Sequence, residues 1–340
     1  MSDPARDEGL AVEEGAVEGL AGDEEAALLG LPPVAPDDRL VYGGHPDQVV
    51  DLYRPPATAP ASSATASASS AMAPASSADG RTAPLVVLLH GGFWRVAYDR
   101  THLSPAAAAL ARHGLYVALA EYRRAGGGGG LPETFDDVTH AVRAAAAEVP
   151  AGTPVLVAGH SAGGHLALWA AARPGPLTAA VALAPVADLA RAHELGLSNG
   201  AVAEFLSSGA VAESLSGAGT RVPLTPAPLT PAALTARIAE TDPVRLTPRV
   251  PVTLLHGTDD PDVPVELSRR YVAAHADGTA PVVLRELPGV GHYAAVTPGT
   301  DAFAALREAL REALRTAAGA APGGAPEVAP GDGQPGRTGP

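Results

Sequence analysis

Six compact apolar runs constrain the fold of this chain more than any other feature: Leu85 to Leu89, Leu115 to Ala120, Val155 to Ala158, Ala180 to Leu183, Val252 to Leu255 and Val282 to Leu284. Most carry Val or Leu on both alternating faces. A strand that is apolar on both faces must be covered on both, as in a parallel sheet. Helical patterns fill the gaps, over 104–113, 133–147, 162–172, 266–276 and 301–316. The first begins at Ser104-Pro105, read as a cap, and stops before Gly114. The last places Phe303, Leu306, Leu310 and Leu314 on one stripe. Upstream, the apolar stretches 38–42 and 48–54 flank Gly43-Gly44-His45-Pro46-Asp47, a hairpin signal. Together these predict an α/β architecture, a mostly parallel eight-stranded sheet with helices on both faces.

The chain has 340 residues, of which residues 37–317 are expected to form one domain. The acidic residues 1–36 read as a disordered tail, with a short helix as the alternative, and the Gly/Pro-rich residues 318–340 read as a second disordered tail. Residues 57–83, nearly all Ala, Ser, Pro and Thr, read as a low-complexity loop. Residues 186–245 break the alternation after the sixth strand and are expected to form an insertion, a candidate lid. The formal net charge of −14 argues against nucleic acid, whose phosphates require a basic face. There is no Cys, which excludes a disulfide framework, a Cys-ligated metal and a Cys nucleophile. No apolar run reaches the ~18–20 residues of a membrane span, and no secretory leader is recognisable, so a cytoplasmic location is expected.

Gly159-His160-Ser161-Ala162-Gly163 follows one apolar run and opens a helical one. This G-x-S-x-G pattern in strand–turn–helix context places Ser161 on a sharp turn as a candidate nucleophile. His90-Gly91-Gly92-Phe93-Trp94 follows the run Leu85 to Leu89. Glycines there let backbone amides approach a developing oxyanion, and the N–H groups of Gly92, Phe93 and Ala162 are the expected donors. His90 reads as a structural residue that bonds this loop. Phe93 and Trp94 suit either a substrate-binding wall or the core, and the sequence leaves both open.

An activated serine needs a base, and the base needs a carboxylate to orient it. Two histidines lie beyond the run Val252 to Leu255 and the turn after it. His275 falls in a helical stretch and reads as a surface residue. His292 sits in Pro288-Gly289-Val290-Gly291-His292-Tyr293, just after the last strand, and is the candidate base. The acid lies in His256-Gly257-Thr258-Asp259-Asp260-Pro261-Asp262-Val263-Pro264, where Asp259, Asp260 and Asp262 compete.

Taken together these motifs resemble the α/β-hydrolase superfamily, over most of residues 38–317. The H-G-G loop is similar to that of its esterase and lipase branch and of the prolyl-oligopeptidase-like hydrolases. The resemblance implies the α/β-hydrolase fold and, through the pattern H-G-x-x-D-x-x-V-P, assigns the triad acid to Asp260, with Asp259 and Asp262 as fallbacks. H-G-G followed by an aromatic and Trp resembles the kynurenine formamidase group. The tract at 57–83 departs from these families, and no β-propeller precedes the domain. The expected function is hydrolysis of a small-molecule ester through an acyl-enzyme, by Ser161, Asp260 and His292, with no cofactor and no metal. The alternatives are an arylformamidase and a non-catalytic ligand-binding protein on the same scaffold. The oligomeric state is not readable from the sequence.

Overall fold

The computed structural model describes residues 22–56, 83–209, 213–215, 221–223 and 229–319. Helical residues 22–29 (α1) precede the strands β1 Asp38–Val41 and β2 Val49–Tyr53. Then come β3 Leu85–Leu89, α2 Ser104–Arg112, β4 Tyr116–Ala120, α3 Glu133–Ala147, β5 Val155–His160, α4 Ala162–Ala171 and β6 Ala179–Leu183. The excursion that follows holds α5 Leu189–Glu194, α6 Leu197–Ser207, a small hairpin of β7 Glu213–Leu215 and β8 Arg221–Pro223, and α7 Pro231–Thr241. The chain then re-enters the sheet as β9 Val252–Gly257, α8 Glu266–Ala274, β10 Val282–Leu287 and α9 Asp301–Gly319.

The sheet has eight strands in the order β1-β2-β4-β3-β5-β6-β9-β10. β2 runs antiparallel to both its neighbours, and every other pair is parallel. The expected mostly parallel, eight-stranded sheet is therefore present, with the leading hairpin at one edge. Alternation along the strands divides the core. Leu85, Val87 and Leu89 face one layer with Phe135, Val138 and Leu166, whereas Val86 and Leu88 face the other with Ala106, Leu110, Phe303 and Leu306. Four consecutive alanines, Ala106 to Ala109, let α2 lie close on that second face.

Chain order explains where the site falls. From β3 the chain moves outward to β4, then crosses back to β5 on the other side of β3. The loop after β3 and the turn after β5 thus leave adjacent strands at the same end of the sheet. A reversal of this kind opens a crevice at the carboxyl ends of the strands.

Several expectations are corrected. Residues 22–36, expected within a disordered tail, carry α1, and Leu28 is buried in the second core layer. Tyr53 donates to the Val34 carbonyl and the Val34 amide donates to Ser104 Oγ, which pins the segment down. Ser104 does not cap α2. It is the first helical residue, and the preceding 3₁₀ turn is capped by Asp99. His275 is not a surface residue but is buried, bonded to the Pro243 carbonyl at 3.1 Å. α9 runs on to Gly319, past the expected start of the second tail. The expected tails over 1–21 and 320–340, and residues 57–82 of the expected loop, lie outside the described residues.

Candidate active site

Ser161 sits between β5 and α4 with φ 56° and ψ −117°, a conformation that a β-carbon disfavours. The surroundings hold it there. Its amide donates to the Leu183 carbonyl at 2.8 Å, and its carbonyl accepts from His165 and Val186. The two glycines of the motif are required by space. A β-carbon on Gly159 would lie 2.1 Å from the Gly163 carbonyl oxygen, and one on Gly163 would lie 2.3 Å from that of Leu89. The turn is so tight that α4 packs directly against β3 and β5.

The loop after β3 runs alongside. Gly92, Phe93 and Trp94 all have positive φ, at 100°, 46° and 57°. Behind the loop, both ring nitrogens of buried His90 face oxygen acceptors, the Gly91 carbonyl and Glu121 Oε1, each at 2.8 Å. The ring also stacks on Tyr122, whose hydroxyl donates to the His90 carbonyl. His90 thus bonds the loop, as its position suggested. Glu121 further accepts from the amides of Arg100 and Tyr122. Among the described residues, no hydrogen bond from the amides of Gly92, Phe93 or Ala162 to another protein group is found.

The three candidate acids separate by geometry. Asp260 Oδ2 accepts from His292 Nδ1 at 2.6 Å, and Oδ1 accepts from the amides of Asp262 and Val263. Asp259 is engaged by Thr258, and Asp262 lies beside Tyr293 at the cavity. Burial raises the Asp260 carboxyl, but the facing His292 and hydrogen bonds from His256 and His292 outweigh it and hold it well below the usual range. Burial likewise opposes charge on His292, yet Asp260 outweighs it and raises the imidazole above its ordinary 6.5. The Asp260 bond fixes the tautomer, with the proton on Nδ1 and Nε2 left as the basic nitrogen. Buried His160 donates through Nε2 to the His292 carbonyl at 2.9 Å, and burial holds this ring neutral.

Gly257 in the acid loop has a role of its own. A β-carbon there would lie 2.0 Å from the Val290 carbonyl oxygen, because the base loop passes directly over it. The Asp259 amide donates to that same carbonyl at 3.1 Å. Acid and base loops are therefore packed as one body.

Ser161 and His292 line a common cavity of about 260 Å³. Phe93, Tyr98 and Tyr293 form much of its wall, with Arg95, His102 and Asp262 adding polar groups and Glu25, Leu28 and Leu29 closing it from α1. From the excursion, Ser198 reaches the cavity, and Arg95 binds Ser198 and Glu204. Of the two aromatics that the sequence left open, Phe93 is at the wall. Trp94 is corrected to the core: it is fully buried, stacked on Phe205 at 4.7 Å and edge-on to His165. The residues that the sequence reading missed are the α1 side chains, Glu121, Tyr98 and Arg95. Glu121 had one signal, a carboxylate at the end of a buried strand. Among the described residues, no group of three or more His, Asp or Glu side chains could hold a metal ion.

A doubly wound sheet, with a serine on a strained strand–helix turn that shares a cavity with a carboxylate-bound histidine, suits a hydrolase scaffold. The family model "Alpha/beta hydrolase family" matches residues 86–306, and the chain belongs to that family. No curated protein matches the sequence. Among solved structures it is similar to esterase B from Lactobacillus rhamnosis, at 18% identity and a TM-score of 0.62 over 93% of this chain and 98% of that one. A truncated carbohydrate esterase from gut microbiota aligns at 16% identity and a TM-score of 0.60, over 83% and 99%. Esterase 2 of Thermogutta terrifontis aligns at 20% identity and a TM-score of 0.54, over 84% and 96%. No helix among the described residues is long and apolar enough to cross a membrane.

Proposed function

We propose that this protein is a serine esterase acting on small carboxylic esters. The observation that carries the reading is the Asp260–His292 bond beside the cavity that holds Ser161. In the proposed reaction Ser161 Oγ attacks the ester carbonyl while His292 Nε2 takes its proton. Asp260 keeps the imidazole in the required tautomer and stabilises the imidazolium. The amides of Gly92, Phe93 and Ala162 receive the oxyanion. His292 returns the proton to the departing alcohol, and water, activated by the same base, releases the acid.

The cavity of about 260 Å³ favours compact substrates. The esterase names of the structural neighbours agree with ester hydrolysis in general. With Trp94 in the core, Phe93 alone of the Phe93-Trp94 pair meets the cavity.

Fluorophosphonate labelling and turnover of p-nitrophenyl esters of increasing acyl length test the reading. Ser161→Ala is expected to abolish labelling and lower kcat by about 10³-fold or more. The kcat/KM profile is expected to rise with pH through a midpoint above the ordinary 6.5 of histidine, because the base must be neutral and Asp260 favours its charged form. Full activity in Ser161→Ala, or no labelling of the folded wild type, would overturn the proposal. Formate release from N-formylkynurenine in preference to ester turnover would replace it with the formamidase reading.

A further inference from the structure

We propose that Glu24, on the N-terminal helix α1, is a positioning residue for the catalytic base, so that α1 is a working part of the active site. The inference rests on the reading of Ser161, Asp260 and His292 as a triad. Glu24 Oε1 accepts from the Gly291 amide at 2.9 Å, and Oε2 accepts from the amides of Tyr293 and Ala294 at 2.9 and 3.0 Å. One carboxylate thus takes three backbone donors that bracket His292. Such amides, aligned in one concavity, form a ready anion site, and carboxylate bonds to them are about twice as strong as neutral ones.

The loop is shaped for this carboxylate. A β-carbon on Gly291 would lie 2.9 Å from Glu24 Oε2, so any larger residue there would press on the carboxylate. The base is then fixed from three further directions. Its carbonyl accepts from His160 on β5, its Nδ1 is held by Asp260, and the loop rests on Gly257. Glu24 supplies the remaining side, the one facing the N-terminal segment. Leu28, one turn on, anchors α1 in the core and so sets where the carboxylate sits. The residues matched by the family model begin only at 86, so this support comes from outside the matched module.

Glu24 never reaches the reacting atoms. It would act through the placement of the imidazole and through its charge. The ionisable groups that face His292 are Asp260 and Asp262 from the acid loop, His256 from β9, His160 from β5, its neighbour Tyr293, and Glu24 and Glu25 from α1. Burial holds His160 neutral across the neutral range and raises Tyr293 far above it. A limb rising above the ordinary histidine value thus reports His292.

The test is the second-order rate of fluorophosphonate labelling of the full chain as a function of pH, with thermal melting on each variant. In labelling, the Ser161 Oγ–P bond forms, the P–F bond breaks, fluoride leaves, and His292 takes the serine proton. Glu24→Gln keeps the shape and removes the charge. Its limb is expected to move to lower pH and its plateau rate to fall about 10–100-fold, the scale on which outer supports of catalytic groups act. Glu24→Asp keeps the charge and is expected to hold the wild-type limb. Asp23→Asn, which removes an exposed charge from the same helix, is expected to change neither.

An unchanged rate and limb in Glu24→Gln, with the wild type labelling normally, would overturn the inference alone. So would a melting loss with the limb unmoved, which marks a merely structural carboxylate. A folded wild type that does not label would overturn the triad reading first, and the inference with it.

Discussion

Glu121 shapes the candidate site without lining its cavity. Burial raises its carboxyl, but His90, Arg124 and the Arg100 amide outweigh this and hold it at about 2, against an ordinary 4.5. A carboxyl lowered on folding stabilises the native state above its unfolded value, and the contribution fades as pH falls towards the folded one. Glu121→Gln is therefore expected to cost on the order of 2–3 kcal/mol near neutral pH. The deficit should shrink between about pH 4.5 and about pH 2, as read by urea unfolding across that range. A deficit that persists at the acid end would mean that shape rather than charge is what the site requires. Legibility at this scale followed sequence-local chemistry. The candidates Ser161 and His292 stand out in the sequence because turn glycines surround them, and His90 because it heads a glycine loop. Trp94 and Phe93 were not separable, since adjacent residues on a loop with positive φ point apart in a way that no periodicity reports.

Elements place the chemistry by stacking loops. Gly257 ends β9 under the base loop, with no room for a side chain between them. Gly257→Ala should push the Val290–His292 backbone away and lower kcat/KM about 10²-fold, the order expected of a displacement near 1 Å. A far-UV circular dichroism spectrum like that of the wild type would show the sheet intact, and near-normal kcat/KM would refute the loop-stacking account. The strands and α2 to α4 were largely legible because buried parallel strands, the Ala-rich buried helices α2 and α4 and the amphipathic α3 write their burial into their composition. β3 and α3 have the boundaries the pattern predicts. α1 was not, because Asp23-Glu24-Glu25-Ala26-Ala27 reads as a solvated stretch. A helix this short is marginal in isolation and takes its order from docking, here through Leu28. Leu28, Leu29 and Leu31 just after the acidic stretch were the available signal.

For the molecule as a whole, the matched family region is one part of the working unit. α1, β1 and β2 lie before it, and α1 closes the cavity. Deleting residues 1–30 is expected to leave a cooperatively unfolding sheet while sharply slowing fluorophosphonate labelling. Loss of Leu28 burial, about 2–3 kcal/mol, would lower the melting temperature by about 3–5 °C for a domain of this size. Labelling at the wild-type rate would show that α1 covers the site without serving it. The excursion between β6 and β9 resisted prediction for a related reason. Its described parts, kinked at Ser198, Asn199 and Gly200, take their shape from Arg95 and the core around Phe205 rather than from local pattern.

The contact between Glu24 and Gly291 joins residues 267 positions apart. During translation, the carboxylate is therefore made long before the three amides that it holds. Every partner that holds the His292 loop, Glu24, His160, Gly257 and Asp260, precedes it in the chain, so the loop can dock as soon as it follows β10. Until then Ser161 stands without His292, and assembly of the candidate site waits on the strand made last in the sheet, β10.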